Sequence, residues 1–106
     1  MKRRYGRCMG KNEFKRTKKT SILDDDGRGE VPVFDCPKYV EKRLLGMNKK
    51  ELEEHFRGIG VREAYAIIFF EVDEELAKEN LPQKNGLKEY LIPTGTKIEI
   101  DYWIKL

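Results

Sequence analysis

The sequence is poor in the residues from which common catalytic and metal sites are built. Its 106 residues include two cysteines, a single histidine (His55) and a single serine (Ser21). One serine within a basic segment gives no basis for a serine–histidine–acid triad. Cys8, Cys36 and His55 lack the paired spacing of structural zinc sites. We therefore expect a protein that is not an enzyme and that needs no metal or cofactor.

The two cysteines leave three states open. Cys36 precedes Pro37, a residue suited to the first turn of a helix, and the N-terminal end of a helix lowers the pKa of a thiol. His55 has no spacing relationship that brings it near enough to act as a base. Cys8 and Cys36 can be two free thiols, an intrachain disulfide or an intermolecular disulfide, and we expect free, buried thiols.

Long apolar runs are missing as well. The longest, residues 64–70, is far shorter than the roughly 18 residues of a membrane span, and no apolar segment follows the basic N-terminus as it would in a secretory signal. We therefore expect a cytoplasmic protein without a membrane partner. Residues 58–60 (Gly-Ile-Gly) do not lead into a helix as a phosphate-binding loop does, and the acidic run 24–27 lacks both anchoring carboxylates of a calcium loop.

Charge is abundant and unevenly distributed. Charged residues make up 39% of the chain, and the net charge is +3. Residues 1–19 hold nine lysines and arginines against one acid, a net charge of +8, so the remaining residues carry −5. Such asymmetry between segments indicates a polyanionic partner. The many Lys and Glu residues, with few amides, are also typical of heat-adapted proteins.

The basic segment is our main candidate for function. Lysine and arginine that neutralise phosphates add sequence-independent affinity for nucleic acid, and interleaved aromatic residues such as Tyr5 and Phe14 favour single strands or RNA loops. We treat residues 1–11 as a basic, mobile arm and residues 12–106 as one domain. The predicted contacts with RNA or DNA are Arg3, Arg4, Arg7, Lys11, Lys15, Arg16, Lys18, Lys19 and Trp103.

Other interpretations remain open at this level. The basic segment can be a solvated tail, or it can fold back on the acidic remainder. Trp103 can stack on a base or anchor an interface, or it can pack beneath the basic segment or against Lys88 or Tyr90.

A different class of function is a protein-interaction or assembly module, whose C-terminal strand pairs with a second copy or another protein. A viral or mobile-element factor is one form that such a module can take.

The pattern of elements predicts an α+β fold. We expect strands at 12–23 and 30–35, two helices between Pro37 and Gly58 with a capping box at Asn48 and Glu51, a strand at 64–72, a short helix at 73–80, and a final hairpin. The C-terminus alternates strictly, with Ile98, Ile100, Tyr102, Ile104 and Leu106 on one face and Trp103 on the other. The order ββ-αα-β-α-ββ favours a mainly antiparallel sheet with helices on one face.

Overall fold

A computed structural model describes residues 1–24, 29–57 and 64–106. Most of the predicted 24–29 loop, and the glycine-rich end of the second predicted helix at 58–60, lie outside these residues. The elements are β1 (Lys2–Met9), α1 (Lys11–Thr20), β2 (Ile22–Leu23), β3 (Glu30–Asp35), α2 (Lys38–Leu45), α3 (Lys49–His55), β4 (Ala66–Asp73), a 3-10 turn (Glu74–Leu76), β5 (Lys78–Glu79), β6 (Glu89–Pro93), β7 (Thr96–Lys97) and β8 (Glu99–Lys105).

The strands form an antiparallel sheet, and together with the helices this sheet confirms the α+β prediction. Six strands lie in the order β5-β6-β3-β1-β4-β8, and β2 pairs separately with β7. The longest ladder joins β1 to β4, from Lys2 opposite Asp73 to Met9 opposite Ala66. Every pairing in the larger sheet is antiparallel.

The N-terminal residues depart most from prediction. Residues 2–9, assigned to a basic arm, form a strand with a neighbour on each side. Tyr5 and Met9 are fully buried on one face of this strand, and Cys8 is buried on the other. The strand predicted at 12–23 is wrong, because residues 11–20 form α1, with Phe14 and Thr17 three residues apart on its buried side. Only residues 22 and 23 of that range are in a strand.

Both faces of the sheet are covered, and the helices are divided between them. One hydrophobic cluster joins Phe14 of α1 to residues such as Tyr5 and Phe70. The other joins Leu44 of α2 and Leu52 of α3 to the opposite face. The expectation of helices on one face therefore holds for α2 and α3 only, because the alternating apolar residues of β1 and β4 give the sheet two faces that must be buried.

The packing of Phe34 in the α2–α3 cluster requires a glycine at position 6. A Cβ built on Gly6 would lie 2.3 Å from the Phe34 ring, which is far inside van der Waals contact. Gly6 and Phe34 are opposite each other in the β1–β3 ladder. The Phe34 ring therefore occupies the space that any other residue at position 6 would need.

The two predicted helices in the middle of the chain are confirmed. The capping box at the start of α3 is present, because the Glu51 amide donates to the Asn48 side chain and the Asn48 amide donates to the Glu51 carboxylate. The helix predicted after Asp73 is shorter than expected. It is a single 3-10 turn, and the Asp73 carboxylate accepts from the Glu75 amide at its start.

The predicted C-terminal hairpin is wrong, although both of its strands exist. β6 pairs with β3 and β5, whereas β8 pairs with β4 at the opposite edge of the sheet. In the β4–β8 ladder Phe69 pairs with Tyr102 and Phe70 pairs with Ile100, so Asp101 is an extra residue in β8. Such a bulge reverses the facing of the residues that follow it. Ile100 consequently packs in the α1 cluster and Ile104 in the α2–α3 cluster.

Candidate nucleic-acid interface

A groove lies between α1 and the C-terminal half of β8. Its volume is about 560 Å³, and we call it the lysine–aromatic groove. Four of its lining side chains are cations and three are aromatic rings. They are Phe14, Lys15, Lys18, Lys19, Tyr65, Trp103 and Lys105. Among the described residues that line it there is no carboxylate, so the groove carries positive charge next to aromatic surface.

Trp103 forms one wall of the groove. The bulge at Asp101 turns its indole to the α1 face of the sheet, where the ring centroid lies 6.1 Å from that of Phe14 in an edge-to-face arrangement. The Lys18 ammonium lies 4.2 Å from the centroid of the indole. Trp103 remains 41% exposed. It therefore packs against the basic segment, as one of the structural interpretations held, and still presents ring surface to solvent.

Tyr65 provides a second aromatic surface. Its ring centroid lies 5.6 Å from that of Phe14, and the Lys105 ammonium lies 5.3 Å from the Tyr65 centroid. Hydrogen bonding with Lys105 lowers the pKa of the Tyr65 hydroxyl, with further lowering by the charges of Lys11 and Lys15. The direction of this pKa shift indicates a positive potential in this part of the molecule.

The lysines of α1 reach the groove because only one narrow side of the helix is buried. Phe14 and Thr17 face the sheet, and at about 100° per residue the four lysines of α1 fall within an arc of about 100° beside Phe14. The helix ends at Ser21, which adopts the left-handed conformation and donates its amide to the Thr17 carbonyl. The four lysines of α1 are Lys11, Lys15, Lys18 and Lys19, and all of them are exposed.

The three arginines predicted as phosphate contacts are committed to carboxylates. Arg3 donates from Nε and Nη2 to Asp35, over 3.0 and 2.9 Å. Arg7 makes the same two-pronged contact with Glu13, over 2.7 and 3.2 Å, which joins β1 to α1. Neither side chain faces the groove as an unpaired cation.

Arg4 lies on the opposite face of the sheet from the lysine–aromatic groove. It makes a two-pronged contact with Glu41 of α2, over 3.0 and 2.7 Å, and also pairs with Asp101 of β8. These hydrogen bonds, that to Glu41 foremost, raise the pKa of Arg4. Its guanidinium also lies 5.8 Å from the centre of the Phe69 ring. The arginine connects three elements of the fold.

The predicted contact set thus divides into two groups. The structure places Lys15, Lys18, Lys19 and Trp103 in the groove and Lys11 near it, while Arg16 is half-buried on another side of α1. Sequence reasoning missed Tyr65 and Lys105. The bulge brings Lys105 and Trp103 to this face. The regular alternation of the sequence gives no sign of that bulge.

The remaining reactive side chains form no second site in the described parts of the chain. Cys8 and Cys36 are free and buried, as predicted, and burial raises the pKa of each thiol to about 12. Burial also lowers the pKa of His55, with a contribution from Arg43. No group of three or more histidine, cysteine or acidic side chains that could hold a metal ion occurs in residues 1–24, 29–57 and 64–106.

Comparisons with known proteins leave the interpretation to the site itself. No protein-family model matches the chain, and no curated protein matches its sequence significantly. Of the helices in the described ranges, none is long and apolar enough to cross a membrane.

Proposed function

We propose that this protein is a small, non-enzymatic nucleic-acid-binding protein that contacts phosphates through the lysines of α1 and Lys105. The observation that carries the proposal is the groove in which four lysines and three aromatic rings meet without an acidic side chain among the described lining residues. The predicted contact surface is therefore revised. The lysines of α1 replace the arginines of β1 as the phosphate contacts.

The pairing of charges supports this choice of residues. A phosphate that approached Arg3 or Arg7 would compete with a carboxylate held by two hydrogen bonds. Lys15, Lys18 and Lys19 are exposed and have no carboxylate partner among the described residues. A phosphate can reach their ammonium groups without breaking an ion pair within the fold.

Binding of this kind has a measurable salt dependence. Each neutralised phosphate contributes a slope of about 0.7 for single strands and 0.9 for duplex in a plot of log affinity against log salt concentration. Four contacts correspond to a loss of roughly 50-fold in affinity between about 50 and 200 mM salt for a single strand. Non-specific affinity at physiological salt is then expected in the range of about 10⁻⁴ to 10⁻⁶ M.

The test is a charge-removal triplet on α1. Deleting residues 1–19 would remove β1 and most of α1, so point substitutions are required. We expect Lys15→Gln, Lys18→Gln and Lys19→Gln together to weaken binding of a labelled mixed-sequence oligonucleotide and to reduce the salt slope by about 2. Fluorescence anisotropy over a salt series measures both quantities.

The matched control removes the same charge from the other side of the sheet. Lys38, Lys42 and Lys49 are exposed residues of α2 and α3, and their replacement by Gln should leave most of the affinity. Equal losses in the two triplets would mean that net charge alone drives binding. Absence of binding by the unaltered protein at low salt would overturn the proposed function.

A second candidate function uses the edge of the sheet. β8 is an outermost strand of the six-stranded sheet, as the assembly interpretation requires, and Tyr102 on it is 50% exposed. An edge strand can pair with a second copy of the chain or with another protein. The bulge at Asp101 interrupts the regular row of backbone groups and disfavours such pairing. Sedimentation velocity separates the two candidates, since edge pairing of this chain with itself predicts a dimer.

A further inference from the structure

We propose that the lysine–aromatic groove selects single-stranded over double-stranded nucleic acid, with unpaired bases stacking on Trp103 and Tyr65 while phosphates follow the lysines of α1. This inference rests on the proposed function and adds the class of nucleic acid to it. Phosphate contacts alone do not distinguish the two forms. The aromatic surfaces beside the lysines supply the distinction.

The lysines form a row suited to a phosphate backbone. Lys11, Lys15 and Lys19 are four residues apart along α1, and a helix rises about 1.5 Å per residue, so their Cα atoms are spaced by about 6 Å along the helix axis. This spacing is comparable to that between successive phosphates of an extended strand. Lys105 adds a cation on the far side of the groove.

The aromatic rings line the same groove as these lysines, within reach of the bases of such a strand. Trp103 and Tyr65 each pack against Phe14, with centroid separations of 6.1 and 5.6 Å from it. Phe14 is buried and contacts both rings. The two outer rings are therefore held by packing and need little ordering when a base arrives.

Each outer ring is covered by a lysine that a nucleic acid can displace. The Lys18 ammonium lies 4.2 Å from the Trp103 centroid, and that of Lys105 lies 5.3 Å from the Tyr65 centroid. An exposed cation–π contact is weaker than the stacking of a base on an aromatic ring. When a base takes the ring face, the displaced ammonium can pair with the adjacent phosphate. The exchange replaces each contact that it breaks.

A duplex cannot make this exchange. Its base faces are stacked on one another, so it can reach the lysines but offers no free base face to Trp103 or Tyr65 unless the helix is opened. We therefore expect a single strand to bind about tenfold more tightly than the same sequence annealed to its complement, since stacking of one base is worth about 5- to 150-fold in affinity.

The experiment uses the intrinsic fluorescence of the protein. Trp103 is the sole tryptophan of the chain, so its emission reports on this groove alone. A mixed-sequence single strand should quench the emission on binding, and the matched duplex should bind more weakly and quench little. Anisotropy of a labelled strand gives the two affinities independently.

Substitutions separate stacking from charge. Trp103→Leu should lower single-strand affinity about tenfold and leave duplex affinity and the salt slope unchanged, while Trp103→Phe should restore most of the affinity. Tyr102→Leu is the matched control, because Tyr102 is the adjacent exposed ring of β8 on the other face of the sheet. Thermal unfolding verifies that each variant is folded.

The two proposals fail in different ways. Equal affinity for single strand and duplex, with no quenching and with sensitivity to the lysine triplet, would overturn single-strand selection and leave nucleic-acid binding in place. Absence of binding to both forms would overturn the proposed function. The quenching measurement on the unaltered protein decides the matter even if Trp103→Leu fails to fold.

Discussion

Strand β1 and helix α1 are adjacent and similarly basic, yet their cations have opposite roles. The three arginines of β1 are each held by a carboxylate, from Asp35, Glu41 and Glu13 respectively. The lysines of α1 are exposed around an aromatic groove. Net charge over residues 1–19 therefore overstates the charge that a ligand can meet.

The choice of arginine or lysine explains the difference. A guanidinium presents a planar fork that matches a carboxylate with two hydrogen bonds, so it suits half-buried ion pairs between elements. A lysine ammonium lies at the end of a flexible stem and remains hydrated, so it stays available to a ligand from outside the protein. In this chain the arginines of β1 connect elements, and the lysines of α1 remain accessible.

The largest expected effect is on the structural side of this comparison. Gly6→Ala would place a Cβ against the Phe34 ring, and we expect it to lower the free energy of unfolding by about 3 kcal/mol through overpacking. Chemical denaturation followed by circular dichroism measures the loss. Gly46→Ala is the control, because its Cβ would meet neighbouring atoms only at 3.5 Å and beyond. A neutral Gly6→Ala variant would contradict the close packing of β1.

Removal of the Arg4 guanidinium should have the next largest effect. Arg4→Met leaves the Glu41 and Asp101 carboxylates without their partner, and we expect a loss of about 2 kcal/mol because both members of the Arg4–Glu41 pair are half-buried. Lys15→Met on α1 should change the free energy of unfolding by less than about 0.5 kcal/mol. Similar losses in the two variants would remove the distinction between β1 and α1.

A smaller effect is expected for the lysine that covers Trp103. Lys18→Met keeps an apolar stem but removes the ammonium near the indole, and we expect a loss of about 0.5 to 1 kcal/mol together with a change in tryptophan emission. Lys42→Met on α2 should alter neither quantity. Unchanged emission in Lys18→Met would show that the ammonium does not lie over the ring in solution.

The smallest effect distinguishes two tyrosines. Burial raises the pKa of Tyr5 in β1 to about 12, whereas Lys105 lowers that of Tyr65 in the groove. In an alkaline absorbance titration, Tyr65→Phe should remove an early-ionising tyrosine, and Lys105→Gln should return its pKa upward. The unfolded chain releases the Tyr5 proton near pH 10.0, so the stability from its burial is present below that pH and is lost as pH rises toward 12.

Much of the middle and end of the chain follows from local signals in the sequence. The capping box at Asn48 and Glu51 marks the start of α3, and the apolar run of β4 marks a strand buried on both faces. These elements are predictable because their signals lie within a few residues of one another. The thiols of Cys8 and Cys36 are likewise buried, as their residue type favours.

The N-terminal elements and the groove depend on distant residues. A strand containing Arg3, Arg4 and Arg7 looks solvated until the acids that pair with them, up to 97 positions away, are known. The segment that forms α1 has few apolar residues, and Phe14 gains its role from Trp103 across the fold. Periodicity does not record such pairings, so the sequence pattern placed residues 2–9 outside the sheet in which they form β1.

The groove depends on where the alternation of β8 is interrupted, as well as on the chemistry of its lining side chains. Before Asp101 the strand keeps the facing expected from Ile98, and after it every side chain changes side. Closing the bulge with every residue retained would turn Trp103 and Lys105 away from α1, whereas deleting Asp101 would keep Ile100 opposite Phe70 and Tyr102 opposite Phe69 and leave both side chains facing α1. The bulge thus lets a strictly alternating sequence send its apolar side chains to one cluster before Asp101 and to the other after it, while Trp103 faces the groove.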